Sequence, residues 1–461
     1  MHVDPVAARR TMAGYRVVHG IHLALTALEA ALDRSVNEQS NCAIAGFTAQ
    51  FLKPVLTGDI AVFSLADLTA ESCRIIGRIK EEAVCQITVQ FGPVSARPNP
   101  DLPPLLREPV AELGFDTLLD KTGSLTLGLN LAQARQLFPL TTAELGTGGM
   151  AATLALSRLV GMHCPGLHSI FAQASIRYQE TALSGDQNYR VQQTDERLSR
   201  VVLAVDGPYL QGQLVAFFRP PPESQPDMAA VAKLVEPGSY TESIALIIGG
   251  SRGLGEVTAK IIAAGGGLAI ITYQQGAADA ERVAEDIRSL AGRCETLQLD
   301  VRSCQRVVRQ LRKSRQAPRS IYYFATPRIF GRRRGFFSHE TLREFNEIYV
   351  TAFGRLLDAA TDPGLPKLNV FYPSSVAVTE NIREMTEYAM AKRLAEEMCS
   401  FYNQHSKQVE IVVERLPRIK TDQTGTLVPF PAESAIDVML PIVRRVEKIE
   451  QSASPSKTDN R

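Results

Sequence analysis

The chain lacks an excess of either charge. Fifty lysines and arginines meet forty-nine aspartates and glutamates over 461 residues, so neither nucleic acid nor an anionic membrane is expected as its main partner. Long apolar runs are also missing, and none approaches the roughly 20 residues that cross a bilayer. The opening stretch Met1-His2-Val3-Asp4-Pro5 carries no apolar segment, so no signal peptide is expected. Cysteine pairs are absent too. Cys42, Cys73, Cys85, Cys164, Cys294, Cys304 and Cys399 are scattered and form no C-x-x-C, which suits reduced, buried thiols in a cytoplasmic protein.

What is present fits a globular chain of two or three domains: 45% of residues are apolar and 21% charged. Two stretches rich in proline divide it. Residues 97–109 hold five prolines and residues 219–226 hold four, with looser sequence to about Ser239. Proline removes backbone donors and stiffens extended chain, so both stretches read as connections. The segments between them are 1–96, about 110–218 and about 243–450, and residues 451–461 (QSASPSKTDNR) read as a disordered tail.

The first two segments share a rhythm. In the first, Val18-His19-Gly20 opens a helix to Leu32, and the alternating stretch 45–51 leads to the turn Gly58-Asp59. In the second, residues 146–162 read as a helix, and 170–174 lead to Gly185-Asp186. The two Gly-Asp turns lie 127 residues apart, which points to a duplicated fold.

The third segment alternates differently. Ile244-Ala245-Leu246-Ile247-Ile248 is continuously apolar, as a strand buried on both faces requires. A helix over 255–264, a strand over 268–272, a helix over 278–290 and a strand over 295–299 follow. Such repeated βαβ units predict a doubly wound parallel sheet.

Between the first strand and its helix lies Gly249-Gly250-Ser251-Arg252-Gly253-Leu254-Gly255. Glycines there allow a tight turn and let a pyrophosphate approach the helix N-terminus. Further on, Tyr388 and Lys392 stand four apart and so share one helix face. Ser375 closes a strand thirteen residues before the tyrosine. A phenol titrating near 10 is a poor acid at neutral pH, and an ammonium one turn away would lower that value. A serine hydroxyl can polarise a carbonyl beside it. The bland alternative is an exposed tyrosine and lysine on a surface helix.

Together these residues resemble the short-chain dehydrogenase/reductase family over about 243–425. The resemblance implies catalysis by Ser375, Tyr388 and Lys392, and cofactor contacts at Gly249, Ser251, Arg252, Gly253, Leu254, Gly255, Asp300, Val301 and Ala325, with Tyr388 and Lys392 also reaching the cofactor. Asp300 matches the family's adenine-contacting aspartate. Two positions depart from the family. Its Asn-Ala-Gly is Phe324-Ala325-Thr326 here, and its helix asparagine, which holds a relay water, falls at Tyr349. The substrate lid after Thr421-Asp422 is reduced. The second strand ends in Thr272-Tyr273-Gln274-Gln275-Gly276 without a carboxylate, and Arg252 could meet a 2′-phosphate, so NADPH is expected, with NAD the alternative.

His2, Ala8 and His19-Gly20, with 51–55 and Gly58-Asp59, resemble the MaoC-like (R)-specific enoyl-CoA hydratases, a hot-dog fold. This implies His2 as a catalytic residue, and substrate binding at His19 and Gly20, where a backbone N–H at the helix start would hold the thioester oxygen. The aspartate partner of that histidine would lie ahead of Met1. His22, His163 and His168 have no carboxylate nearby in sequence and read as structural. Arg328 and Arg332-Arg333-Arg334 read either as a grip for a CoA phosphate or acidic carrier, or as a solvated loop.

The expected architecture is therefore an α/β Rossmann domain behind an α+β double hot-dog region. The expected function is a bifunctional enzyme of acyl-CoA or acyl-carrier-protein thioesters, whose reductase interconverts 3-ketoacyl and 3-hydroxyacyl forms and whose hydratase interconverts 3-hydroxyacyl and 2-enoyl forms, the 3-hydroxyacyl thioester being the shared intermediate. Homodimers are expected because both families usually associate. The alternatives are a ketoreductase whose hot-dogs only bind acyl chains, and a non-catalytic nucleotide-binding scaffold.

Overall fold

The computed structural model describes residues 16–35, 42–93, 97–105, 108–179, 185–219, 223–327, 329, 337–361, 365–380, 382, 385–421 and 432–448, without the side chains of 34, 35 and 42. They fall into two compact units, the first within Met1–Pro221 and the second from Pro222 onwards. No helix among the described residues is long and apolar enough to cross a membrane.

The first unit is one antiparallel sheet of nine strands: β1 (Cys42–Phe51), β2 (Ala61–Leu68), β3 (Ser72–Ile79), β4 (Glu82–Pro93), β5 (Thr122–Leu125), β6 (Ser169–Tyr178), β7 (Gln187–Asp195), β8 (Arg200–Asp206) and β9 (Leu210–Phe218). Their order is β2-β3-β4-β1-β6-β9-β8-β7-β5. The segments 1–96 and 110–218 are thus joined through the β1–β6 pair into one sheet over one core. Outward from that pair, both halves run through four strands in the same order, with β5 added at the edge of the second, and a shift of 127 residues carries Thr48 onto its facing partner Ser175, 3.2 Å away through their hydroxyls.

Two long helices, Gly20–Ser35 and Pro139–Arg158, pack against each other and the sheet. The first is apolar almost all round and buries Ile21, Ala24, Leu25, Ala27 and Leu28. Each such large aliphatic side chain contributes roughly 1.5–3 kcal/mol. Glu29 on its exposed flank accepts from the N–H groups of Leu140 and Thr141, each at 2.8 Å, where the second helix begins. That second helix breaks at Gly146, whose φ of 67° suits glycine.

The proline stretch 97–109 is not a loose connection. Arg97 donates to Ile44 O at 2.6 Å, and a Cβ on Gly146 would stand 2.8 Å from Pro98 O. Thr147 N–H donates to Asn99 Oδ1 (2.9 Å), and Thr147 Oγ1 to Pro100 O (2.8 Å). Its prolines lack backbone donors, but its carbonyls and side chains cap a helix start that the glycine exposes.

The second unit is a six-stranded parallel sheet of β10 (Ile244–Ile248), β11 (Leu268–Tyr273), β12 (Arg293–Gln298), β13 (Ser320–Tyr323), β14 (Leu368–Ser375) and β15 (Val409–Leu416). Its order is β12-β11-β10-β13-β14-β15, the doubly wound arrangement. Alternate residues feed cores on the two faces: Leu246, Ile321 and Tyr323 on one, Ala245, Ile247 and Tyr322 on the other. This unit begins earlier than the sequence indicates. The helix Met228–Ala232, capped by Asp227 (2.7 Å to Ala230 N–H), buries Met228 and Val231, and Val235 and Tyr240 continue into the same core. Lys260 ties it down by donating to Pro226 O at 2.7 Å and pairing with Asp286 at 2.8 Å.

Candidate active site

In a doubly wound sheet the crevice for a ligand opens where the strand order reverses, here between the C-terminal ends of β10 and β13. The glycine turn leaves β10 at that point. Gly249 has φ 79°, and its N–H donates to Thr272 Oγ1 at 3.1 Å, while Gly250 N–H donates to Thr272 O at 3.0 Å. A Cβ on Gly255 would lie 2.3 Å from Gly249 O, so only glycine lets the helix Gly253–Ala264 approach its own strand. Ser251, Arg252, Gly253 and Leu254 complete the turn, with Arg252 extended at the helix N-cap. Ala325 lies beside it: a Cβ on Gly249 would reach Ala325 N at 3.4 Å. Asp300 accepts from Arg302 N–H and from Gln274 Nε2, both at 2.9 Å, with Val301 buried behind it.

One carboxylate near this turn escapes a reading of the second strand alone. Asp279 is buried in the first turn of the helix Ala277–Ser289, 3.4 Å from where a Cβ on Gly276 would stand, a point 3.8 Å from Ser251 Oγ. Its charge raises the Arg282 guanidinium, after the larger effect of the Glu256 hydrogen bond. The signal for it was position three of a helix, not the end of a strand.

Ser375 ends β14 and accepts from Ala377 N–H at 3.2 Å. Tyr388 and Lys392 lie on the helix Thr386–His405, both turned inward. Burial pushes the Tyr388 phenol above its ordinary value of 10, and its hydrogen bond with Ser375 opposes the rise. Serine and tyrosine are therefore brought together. Lys392 departs from expectation. Its Nζ sits 5.9 Å over the Tyr388 ring and donates to Pro373 O at 2.6 Å. It lies closer to the faces of Tyr349 (4.0 Å) and Tyr372 (4.7 Å). Burial pushes it down to about 7, against the smaller opposing influence of Cys399 and Glu396. A fully enclosed cation takes the nearest carbonyl and aromatic faces instead.

In the first unit, His19 is exposed with Nδ1 2.8 Å from Ser157 Oγ, and Gly20 lies under Phe51, whose ring a Cβ would meet at 2.7 Å. His22 packs edge-on against Phe138 at 5.2 Å, and burial lowers it below 6.5. His163 and His168 do have carboxylate partners, supplied from far along the chain: Glu108 at 2.8 Å and Glu112 at 3.1 Å. His2 and Ala8, Arg328 and 332–334, the lid after Thr421 and the tail 451–461 lie outside the described residues.

Residues 243–323 match the family model of short chain dehydrogenases. That match supports the short-chain dehydrogenase/reductase assignment of the second unit, whose strand order is of this class. The chain is also similar to a short-chain dehydrogenase/reductase from Serratia marcescens (16% identity, 45% of this chain and 91% of that one, TM-score 0.40). A short chain dehydrogenase from Burkholderia cenocepacia in complex with NADP is similar at 20% identity, over 45% and 91% of the two chains, TM-score 0.38. So is an angucycline C-6 ketoreductase with bound NADP, at 17% identity, over 48% and 94%, TM-score 0.41. No curated protein matches the chain.

Proposed function

We propose that the second unit is an NADPH-dependent oxidoreductase interconverting 3-ketoacyl and 3-hydroxyacyl thioesters, on CoA or an acyl carrier protein. The observation that carries the reading is the hydrogen-bonded Ser375–Tyr388 pair at the C-terminal end of β14, in the same parallel sheet as the glycine turn after β10. NADPH held at Gly249–Gly255 would supply the hydride. Ser375 would hold the substrate carbonyl oxygen, and Tyr388 would donate the proton to it. Burial keeps the phenol in its protonated form, the state from which a donor must start, and the Ser375 hydrogen bond works against the rise that would weaken it as an acid. Arg252 at the N-cap supports a 2′-phosphate, with Asp279 held in the field of Arg282.

For the first unit we propose a double hot-dog acting on the same acyl chains. The repeated strand order about the β1–β6 pair, with a long helix in each half, supports that label. The helix start at Gly20 would meet the thioester in one half, whereas in the other Pro98 O and Asn99 close the equivalent start. Hydration would need His2. Loss of crotonyl-CoA absorbance on adding the protein tests that part, and no change leaves acyl binding alone.

Loss of NADPH absorbance with acetoacetyl-CoA and with a 3-ketoacyl carrier protein tests the reductase. Silence with both overturns it. A second reading, a nucleotide-binding scaffold, is favoured by one observation: Lys392 is tied to Pro373 O and enclosed by Tyr349 and Tyr372. It predicts that Tyr388→Phe leaves the biological activity of the protein unchanged.

A further inference from the structure

We infer that Tyr349 is a positioning residue of the second unit, its ring forming the seat on which the Lys392 ammonium rests. The geometry stands by itself, but the catalytic consequence rests on the oxidoreductase reading above. Tyr349 is buried on the π-turn Glu347–Ala352, a local widening that turns a side chain inward from the helix. Its ring is held on three sides. The hydroxyl shares a 2.5 Å hydrogen bond with Thr326 Oγ1, the Phe345 ring stacks at 5.7 Å, and the Tyr388 ring meets it edge-on at 5.7 Å. Its carbonyl accepts from Tyr372 Oη at 3.3 Å, so a second phenol is fixed to the same turn. The face left over receives Nζ at 4.0 Å.

The groups facing Lys392 can be named element by element. The π-turn contributes Tyr349, β14 contributes Tyr372 and Pro373 O, and its own helix contributes Tyr388, Glu396 and Cys399. Glu396 is committed elsewhere: Arg415 donates to it at 2.9 and 2.6 Å, and Ser374 also donates to it. The Cys399 thiol is pushed up to about 12 by burial and is uncharged near neutrality. The described partners of the ammonium are thus one carbonyl and aromatic faces. A desolvated cation on a ring face is stabilised electrostatically by the ring quadrupole. With Lys392 near 7, the presence of that face decides whether the site holds a cation at neutral pH.

The test uses the full chain with 15N-labelled lysine, following Nζ against pH and identifying the Lys392 signal by its loss in Lys392→Met. Tyr349→Phe keeps the face and is expected to titrate within about 0.3 pH unit of the parent. Tyr349→Leu removes it and is expected to titrate about one unit lower, because only the charged form loses stabilisation. An unmoved midpoint in Tyr349→Leu, or an equal fall in Tyr349→Phe, overturns the seat. Should Tyr349→Leu not fold, Tyr349→Met fills the space without a ring and carries the same comparison. NADPH oxidation by the same proteins separates the two readings. A shifted midpoint in a protein that reduces no carbonyl keeps the seat and removes the oxidoreductase. Turnover with an unshifted midpoint removes the seat alone.

Discussion

Lys392 and Tyr388 stand one helical turn apart, and burial moves them in opposite directions, the amine down and the phenol up. For the lysine, the unfolded chain titrates near 10.5 and the folded one near 7, so between those values the unfolded state holds the extra proton. Stability therefore rises with pH across that window, with a slope on the order of 1 kcal/mol per pH unit at most. Melting temperature compared with Lys392→Met from pH 7 to 9 reads this directly: the gap between the two proteins is expected to narrow as pH rises, and a constant gap is the contrary result. At Tyr388, exchange to phenylalanine removes the proton donor but little volume. Ketone reduction is expected to fall by roughly 10²-fold or more while NADPH binding, read by nucleotide fluorescence, stays near the parent's. Tyr388, Lys392 and Ser375 were legible because their pattern is local: one helical repeat and one strand end. The direction taken by Nζ was not, because it is set by Pro373, Tyr349 and Tyr372 on other elements.

At the scale of elements, two glycines and one proline stretch decide where helices can start. Gly255→Ala would push a methyl into Gly249 O, 2.3 Å from the ideal Cβ position, and a backbone atom cannot rotate aside. The helix must retreat from β10, at a cost of roughly 1–3 kcal/mol, and nucleotide affinity is expected to fall with it. Denaturant unfolding together with nucleotide titration would show both losses, and unchanged affinity would show that the turn holds no pyrophosphate. Asn99→Ala removes the cap at Thr147 N–H and is expected to cost about 1 kcal/mol in the same unfolding experiment. Its stretch looks like a connection in sequence because proline count is visible there and carbonyl direction is not. β10 was readable to the residue, since a strand covered on both faces must be apolar throughout. The helix Met228–Ala232 was hidden by its brevity.

Across the whole molecule, Cys73, Cys85, Cys164, Cys294, Cys304 and Cys399 are unbridged and buried. Burial raises all six thiols, Cys294 and Cys399 to about 12, so little thiolate exists at neutral pH. Native protein is expected to leave these six untouched by a thiol reagent that consumes them all in denaturant. Fast reaction of any one of them would contradict the burial described here.

Composition and periodicity settled what depends on neighbours along the chain. The parallel sheet follows from apolar strands alternating with amphipathic helices, the glycine turn from spacing, and the repeat from turns 127 residues apart. Only packing decided that Glu108 meets His163 across 55 positions, that Asn99 caps Thr147 across 48, and that Tyr349 lies under Lys392. Such pairs depend on the direction in which whole elements meet, and a one-dimensional pattern carries the period of each element but not the angle between two of them.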